Sequence, residues 1–269
     1  MTLKKFVMNC VPPILLEKTR KMRGFVVFDG DFKTWANAQA HSTGYDAPLI
    51  LSKVRNAVQQ VVDGKAAYER DSVVFQTLEY EMPLLACLLY VAASNDQRLT
   101  VADFGGSLGS TYLQHRSAIP VNIKLRWNVV ELPHFVKCGR ENYTTDQLAF
   151  YDTLEECEAA ENPDVILLSS VLHYLPDPHA FMRSLLKLKA RFILIDKTPL
   201  FDSPDRLTVQ NVPSSIYKAS YPAWFLNASR LLNEIADRFK PMIEFDSVYA
   251  YRLDGQDVKL RGTLLVRNE

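Results

Sequence analysis

Asp103-Phe104-Gly105-Gly106-Ser107-Leu108-Gly109-Ser110 sets one acid and three glycines within eight positions, directly after the mostly apolar run Leu99-Thr100-Val101-Ala102. Glycines in such a turn let the backbone reverse sharply and approach a ligand with no Cβ in the way. A helix beginning near Ser110 aims its free N–H groups at that ligand. Asp103 can hold a ligand ammonium, directly or through water, or it can cap the N–H groups of its own loop. Glu131 ends the next apolar run, and a carboxylate there can accept from both hydroxyls of a ribose.

Spacing separates the nucleotide classes that use such a turn. The dinucleotide pattern G-x-G-x-x-G needs glycine at Ser107 and Ser110 when counted from Gly105, and at Leu108 and Thr111 when counted from Gly106, so it fails. An acid followed by G-x-G-x-G, the form that binds S-adenosylmethionine (SAM), fits better, with Ser107 standing where the middle glycine usually is. Another nucleotide, or a turn with no ligand, is the alternative. In the SAM reading Leu132 lies on one adenine face, while Tyr151 and Asp152 supply the other face and a bond to the amino group. Ser169 and Ser170 close the cofactor set, which thus comprises Asp103, Gly105, Gly106, Ser107, Gly109, Ser110, Glu131, Leu132, Tyr151, Asp152, Ser169 and Ser170.

His173 follows Ser169-Ser170 where a transferred methyl should lie, and its imidazole can take a hydroxyl proton near neutral pH. The competing reading makes it a packed wall of the pocket. His173, Asp177 and His179 resemble a metal cluster, but Asp177-Pro178 is a natural N-cap and first helical position, so no metal is expected. Residues 198–226 combine four prolines with five aromatic residues, a composition that suits an acceptor wall or lid rather than a flexible linker. There Tyr217, Tyr221 and Trp224 can stack on sugars or rings, and Lys218 can bond a hydroxyl or phosphate. These aromatics can equally pack onto the N-terminal helices.

The elements that must position these groups follow from periodicity. Asp46 and Pro48 open a helix with Ile50, Val54, Val58 and Val62 on one face and Gly64 as its stop, and a second helix is predicted from Phe75 to Ala93. From Leu99 strands alternate with helices: Thr100–Asp103, Trp127–Glu131, Ala149–Tyr151, Val165–Ser169 and Phe192–Asp196, then Phe245–Leu253 and Leu260–Val266 as a hairpin across Asp254-Gly255-Gln256. The expected fold is α/β: a class I methyltransferase (Rossmann-like) sheet of five parallel strands plus a C-terminal antiparallel hairpin. Residues 1–98 form an N-terminal helical cap and 99–269 the SAM-binding domain, with the aromatic lid inserted at 198–226.

A chain of 269 residues that is 48% hydrophobic can bury a full core. With 31 basic and 31 acidic residues it carries no net charge, which argues against a nucleic-acid partner held by bulk electrostatics. Residues 1–23 nevertheless carry +5, beside Phe6, Val7, Met8, Ile14, Leu15 and Leu16. That segment suits loose contact with an anionic membrane surface, or packing on the helical cap or on a second subunit of a homo-oligomer. Four cysteines without C-x-x-C spacing read as reduced thiols of a cytoplasmic protein, and no apolar run approaches the ~20 residues of a membrane span.

Five strings extend the comparison beyond spacing: Gly64-Lys65-Ala66-Ala67-Tyr68-Glu69-Arg70-Asp71-Ser72-Val73-Val74-Phe75, Asp103-Phe104-Gly105-Gly106-Ser107-Leu108-Gly109-Ser110-Thr111-Tyr112, Trp127-Asn128-Val129-Val130-Glu131, Leu168-Ser169-Ser170-Val171-Leu172 and Tyr221-Pro222-Ala223-Trp224. Over residues 30 to 250 the chain resembles a bacterial family of SAM-dependent methyltransferases, largely defined by sequence and often associated with surface polysaccharide biosynthesis. The resemblance implies SAM as cofactor and accommodates Ser107. It also gives Arg70 a role in clamping an acceptor phosphate or carboxylate and Asp71 a role as base, against a structural reading of an Arg–Asp pair and a helix N-cap. The expected activity is O-methylation of a sugar or glycan-linked small molecule, in the cytoplasm or at the inner membrane surface. A catalytically silent SAM-fold binding protein is the rival class.

Overall fold

From Arg98 onward the central strands are apolar at nearly every position, as in a sheet covered on both faces. The computed structural model describes residues 26–44, 47–212 and 219–268. The basic segment 1–23, Tyr217 and Lys218 lie outside them. Before the central sheet come β1 (Val27–Phe32), α1 (Trp35–Ala40), α2 (Ala47–Val62), β2 (Tyr68–Arg70), β3 (Val73–Phe75) and α3 (Met82–Ala93). The first half of the sheet unit follows as β4 (Arg98–Phe104), α4 (Ser110–His115), β5 (Lys124–Val130), α5 (Pro133–Asn142), β6 (Leu148–Tyr151) and α6 (Leu154–Glu161). Next are β7 (Val165–Ser169), α7 (Pro178–Ser184), β8 (Phe192–Thr198), β9 (Leu200–Phe201), β10 (Arg206–Asn211) and β11 (Ser220–Asn227). The chain closes with α8 (Ala228–Asn233), β12 (Phe239–Leu253) and β13 (Gln256–Arg267).

Seven strands form the main sheet in the order β6-β5-β4-β7-β8-β13-β12. All neighbours from β6 to β8 are parallel, and β13 runs antiparallel to both β8 and β12. This is the class I methyltransferase sheet: five parallel strands and a C-terminal hairpin, with the hairpin's second strand inserted next to the fifth parallel one. Side chains alternate between two cores. Val101, Val129, Leu167 and Leu194 face α2, α3, α4 and α5, while Ala102, Val130, Leu168 and Ile195 face α6, α7 and α8. Fully burying each large aliphatic side chain contributes about 1.5–3 kcal/mol, so the two cores hold the strand ends that carry the site rigidly in register.

Two segments differ from the sequence expectation. The stretch before residue 98 is helical over α1, α2 and α3, but β1 pairs with β10 in a second, four-stranded sheet ordered β1-β10-β11-β9. Residues 198–226 supply three strands of that sheet, β9, β10 and β11. Phe75 does not start a helix: it ends β3, stacks on Tyr68 with ring centroids 4.6 Å apart, and leaves the helix to begin at Met82-Pro83, where proline suits the first turn. Among the described residues no helix is long and apolar enough to cross a membrane. Cys87, Cys138 and Cys157 are buried free thiols, and burial pushes Cys87 up to about 11 and Cys157 to about 12.

Candidate functional site

The glycine turn leaves β4 at the carboxyl edge of the sheet, and its geometry explains each small residue. At Gly105 φ is +75°, and a Cβ would stand 2.6 Å from Val171 Cγ2. At Gly106 a Cβ would meet the Asp103 carboxyl at 2.6 Å. Asp103 cannot yield easily, because it is buried and accepts a 2.9 Å bond from the Trp127 indole N–H. Ser107 adopts φ +58°, the left-handed region that glycine enters freely, so the middle position of the motif keeps its conformation at a cost of about 1 kcal/mol. Its N–H bonds the Glu131 carboxylate, which also accepts from Leu132 N at 2.6 Å. Glu131 thereby stands over the turn from the end of β5.

A ring of carboxyls surrounds this turn. Burial raises Glu69 to about 7 and Asp103 to about 7, and it raises Glu131 and Asp196 above the ordinary carboxylate range. Glu69 lies on β2 and takes a hydrogen bond from Ser110, the expected cofactor contact at the start of α4. Asp71 stands at the tip of the β2–β3 hairpin with much of its surface exposed, and burial of its carboxyl raises it against the pull of Arg70 and Lys197. Among the described residues Asp71 has no hydrogen-bond partner. Two cations answer these acids: Arg70, held by Glu81 at 2.5 Å and by the Tyr249 hydroxyl, and Lys197, which sits 3.4 Å from Glu81 and 3.7 Å from Asp196. The five carboxyls outnumber them.

Asp71 does not cap the following helix, as a structural reading would have it. It and Ser72 take φ +51° and +67°, the two left-handed positions of a tight hairpin, and α3 is preceded instead by Glu81. Opposite the hairpin tip lie Tyr174 and Tyr251, both pushed upward by burial and by the charge of Asp71. Tyr174 donates to Gln210 at 2.8 Å, and its ring meets Tyr221 edge-on at 5.4 Å. Tyr251 bonds Ser170, which is itself left-handed at φ +56°. Ser169 donates to Asp196 at 2.7 Å.

His173 is wholly buried, and neither ring nitrogen has a partner among the described residues. Burial lowers its imidazole to about 3, so it is neutral across the physiological range. Trp224 points away from Tyr221, packing beside α1 and donating to the Leu175 carbonyl at 3.1 Å. Tyr151 donates its hydroxyl to Glu161 at 2.6 Å, Asp152 pairs with Arg140 at 3.1 Å, and Leu132 is exposed beside Glu131. Asp177 caps α7 through Ala180 N at 2.8 Å. His179 commits both ring nitrogens to Asp205 and Glu234. Among the described residues no cluster of three or more His, Cys, Asp or Glu is arranged for a metal.

Sequence reading did not single out Glu69, Glu81, Asp196, Lys197, Tyr174, Tyr249 or Tyr251. The signal available was position: Asp196-Lys197 stands at the carboxyl end of the fifth parallel strand, where open α/β sheets bind ligands. A cavity of about 430 Å³ adjoins the Arg70–Lys197 cluster, lined by Glu79 to Leu84, Asp196, Phe245 and Ser247 to Tyr249.

No protein-family model matches the chain, and no curated protein matches it in sequence. Several solved structures are similar in shape. Magnesium protoporphyrin IX methyltransferase from Synechocystis PCC 6803, with bound S-adenosylhomocysteine (SAH), is 14% identical; the match covers 98% of this chain and 99% of that one, with a TM-score of 0.45. The N-methyltransferase NodS from Bradyrhizobium japonicum WM9, in complex with SAH, is 11% identical over 81% and 99%, with a TM-score of 0.44. CalS10, a SAM-bound amino pentose methyltransferase from Micromonospora echinaspora, is 11% identical over 71% and 92%, with a TM-score of 0.45.

Proposed function

We propose that the protein is a SAM-dependent methyltransferase that transfers a methyl group to an acceptor hydroxyl. The observation that carries this reading is charge. Glu69, Asp71, Asp103, Glu131 and Asp196 crowd one glycine turn against Arg70 and Lys197. A dinucleotide would bring the negative pyrophosphate into that ring, which opposes it; a sulfonium with an α-ammonium is the complementary charge. The glycine turn fits the same ligand, since Cβ atoms at Gly105 and Gly106 would fill the cradle. Glu131 would hold the ribose hydroxyls, and Asp103 and the turn N–H groups the methionine part. Bound there, SAM supplies an electrophilic methyl.

The chain's own work is then to align the acceptor and remove its proton. Asp71 is the group suited to that removal: a carboxylate without a partner among the described residues, at the tip of the β2–β3 hairpin, whose charge acts on the Tyr174 and Tyr251 phenols. His173 serves better as a wall, because protonating it would bury an unpaired cation. We take the acceptor to be a sugar or glycan-linked molecule, whose hydroxyls suit a site edged by Arg70, Lys197, Glu81 and the Tyr249 hydroxyl.

Calorimetry with SAH and NAD tests the cofactor assignment. SAH is expected to bind in the micromolar range, and Glu131→Ala to weaken it by about 1–3 kcal/mol through loss of charge-assisted bonds. Tighter binding of NAD than of SAH would refute the reading.

A further inference from the structure

The 430 Å³ cavity beside the hairpin has the size of a small-ligand site and two chemically different ends. Its buried end carries the carboxylates of Glu81 and Asp196, each paired with a cation just beyond the lining. Lys197 bridges Glu81 and Asp196, and Arg70 joins Glu81 to the Tyr249 hydroxyl. A charged ligand head would have to break one of these pairs. A hydroxyl need not, since each carboxylate keeps spare lone pairs and the ammonium and guanidinium keep spare N–H groups. The outer end is mostly apolar, with Met82 63% and Val248 88% exposed at its rim beside the exposed Glu79. Single exposed apolar residues are ordinary, but these two line one concavity.

The rim is built, not incidental. The β12–β13 register breaks between Asp246 and Ala250, so Ser247, Val248 and Tyr249 leave the ladder and form the cavity's lip. Bulges of this kind re-aim side chains beside active sites. Lys197 holds φ +46° at the end of β8, a strained position for a lysine and of a type that clusters at ligand sites. Asp196, which lines the cavity, stands near the carboxyl end of β8 and accepts from Ser169 at the end of β7, and β7 pairs with β4, so the inner end of the cavity opens at the same sheet edge as the glycine turn.

We infer that this cavity is the acceptor site and that it takes a neutral, hydroxyl-bearing molecule with an apolar flank: the hydroxyl end beside Lys197 and Glu81, the flank along Met82, Val248 and Tyr249. The inference rests on the methyltransferase reading for the meaning of the site, and not for its binding chemistry. Three probes separate the elements of this claim when titrated into the full chain by calorimetry with SAH present: octyl glucoside below its micelle threshold, glucose, and octyl phosphate.

Octyl glucoside is expected to bind at least about tenfold more tightly than glucose, from burial of the alkyl chain, and more tightly than octyl phosphate. Met82→Asp and Val248→Asp alter exposed rim side chains; each is expected to weaken octyl glucoside about tenfold while leaving SAH affinity and the melting temperature unchanged. Equal binding of glucose and octyl glucoside, preference for octyl phosphate, indifference to both rim variants, or absence of octyl glucoside binding while SAH still binds would each overturn the inference. Failure of SAH to bind the wild-type chain would instead overturn the methyltransferase reading, and the probe titrations without SAH would still decide the cavity's chemistry.

Discussion

Raising the pH from 6 to 7 is expected to tighten SAM binding, and the size of the effect follows from two buried carboxyls. Glu69 and Asp103 both sit at about 7 because burial disfavours their charge. A carboxyl at that value is roughly 90% protonated at pH 6 and half protonated at pH 7. A cation bound beside it restores the ordinary, lower value, so the proton must leave when the cofactor enters. Each group then makes the apparent affinity about fivefold stronger at pH 7 than at pH 6, and the pair about 30-fold, equivalent to about 2 kcal/mol. Below pH 7 the cofactor's α-amino group, which titrates near 7.7–8.0, stays largely protonated and adds little. Calorimetry in two buffers of different ionisation enthalpy measures the released protons directly. Glu69→Gln should leave only about a fivefold dependence, and SAH, which lacks the sulfonium charge, a weaker one than SAM. Equal SAM affinity at pH 6 and 7, with no proton release, would show that these carboxyls do not face the cofactor.

Two further substitutions test the site through stability. His173→Leu removes two buried ring nitrogens that have no partner among the described residues, and is expected to leave the protein as stable or up to about 2 kcal/mol more stable by chemical denaturation; a loss of stability would mean the imidazole makes bonds that the wall reading omits. Ser72→Gly relieves a left-handed serine at φ +67° whose hydroxyl is buried without a partner among the described residues, and is expected to add about 1 kcal/mol, or about 2 °C in the melting temperature, with SAH affinity unchanged. A destabilised glycine variant would contradict the strained hairpin turn.

What the sequence determined by itself is the part encoded locally. The run into Asp103, the glycines after it and the acid ending β5 are readable because strand periodicity and Cβ sterics act within a few residues, and the parallel strands follow from the alternation of apolar runs with helical ones. The three-residue gap between Tyr221 and Trp224 likewise sends them to opposite faces of β11 once β11 is known to be a strand. What only the tertiary structure decided depends on residues far apart in the chain. β1 joins β10 across about 180 positions, which made a sheet of a segment that composition presents as a lid. Phe75 joined a hairpin because pairing with Tyr68 outweighed its weak helical pattern. Asp71 feels the charge of Lys197 and Tyr251 that of Asp71 from three distant elements, and Glu69 acquires its proton affinity chiefly from burial, with the charge of Asp71 adding to it. His173 shows the same limit: its residue type suits a base, but desolvation sets its basicity, and desolvation is a property of everything packed around it.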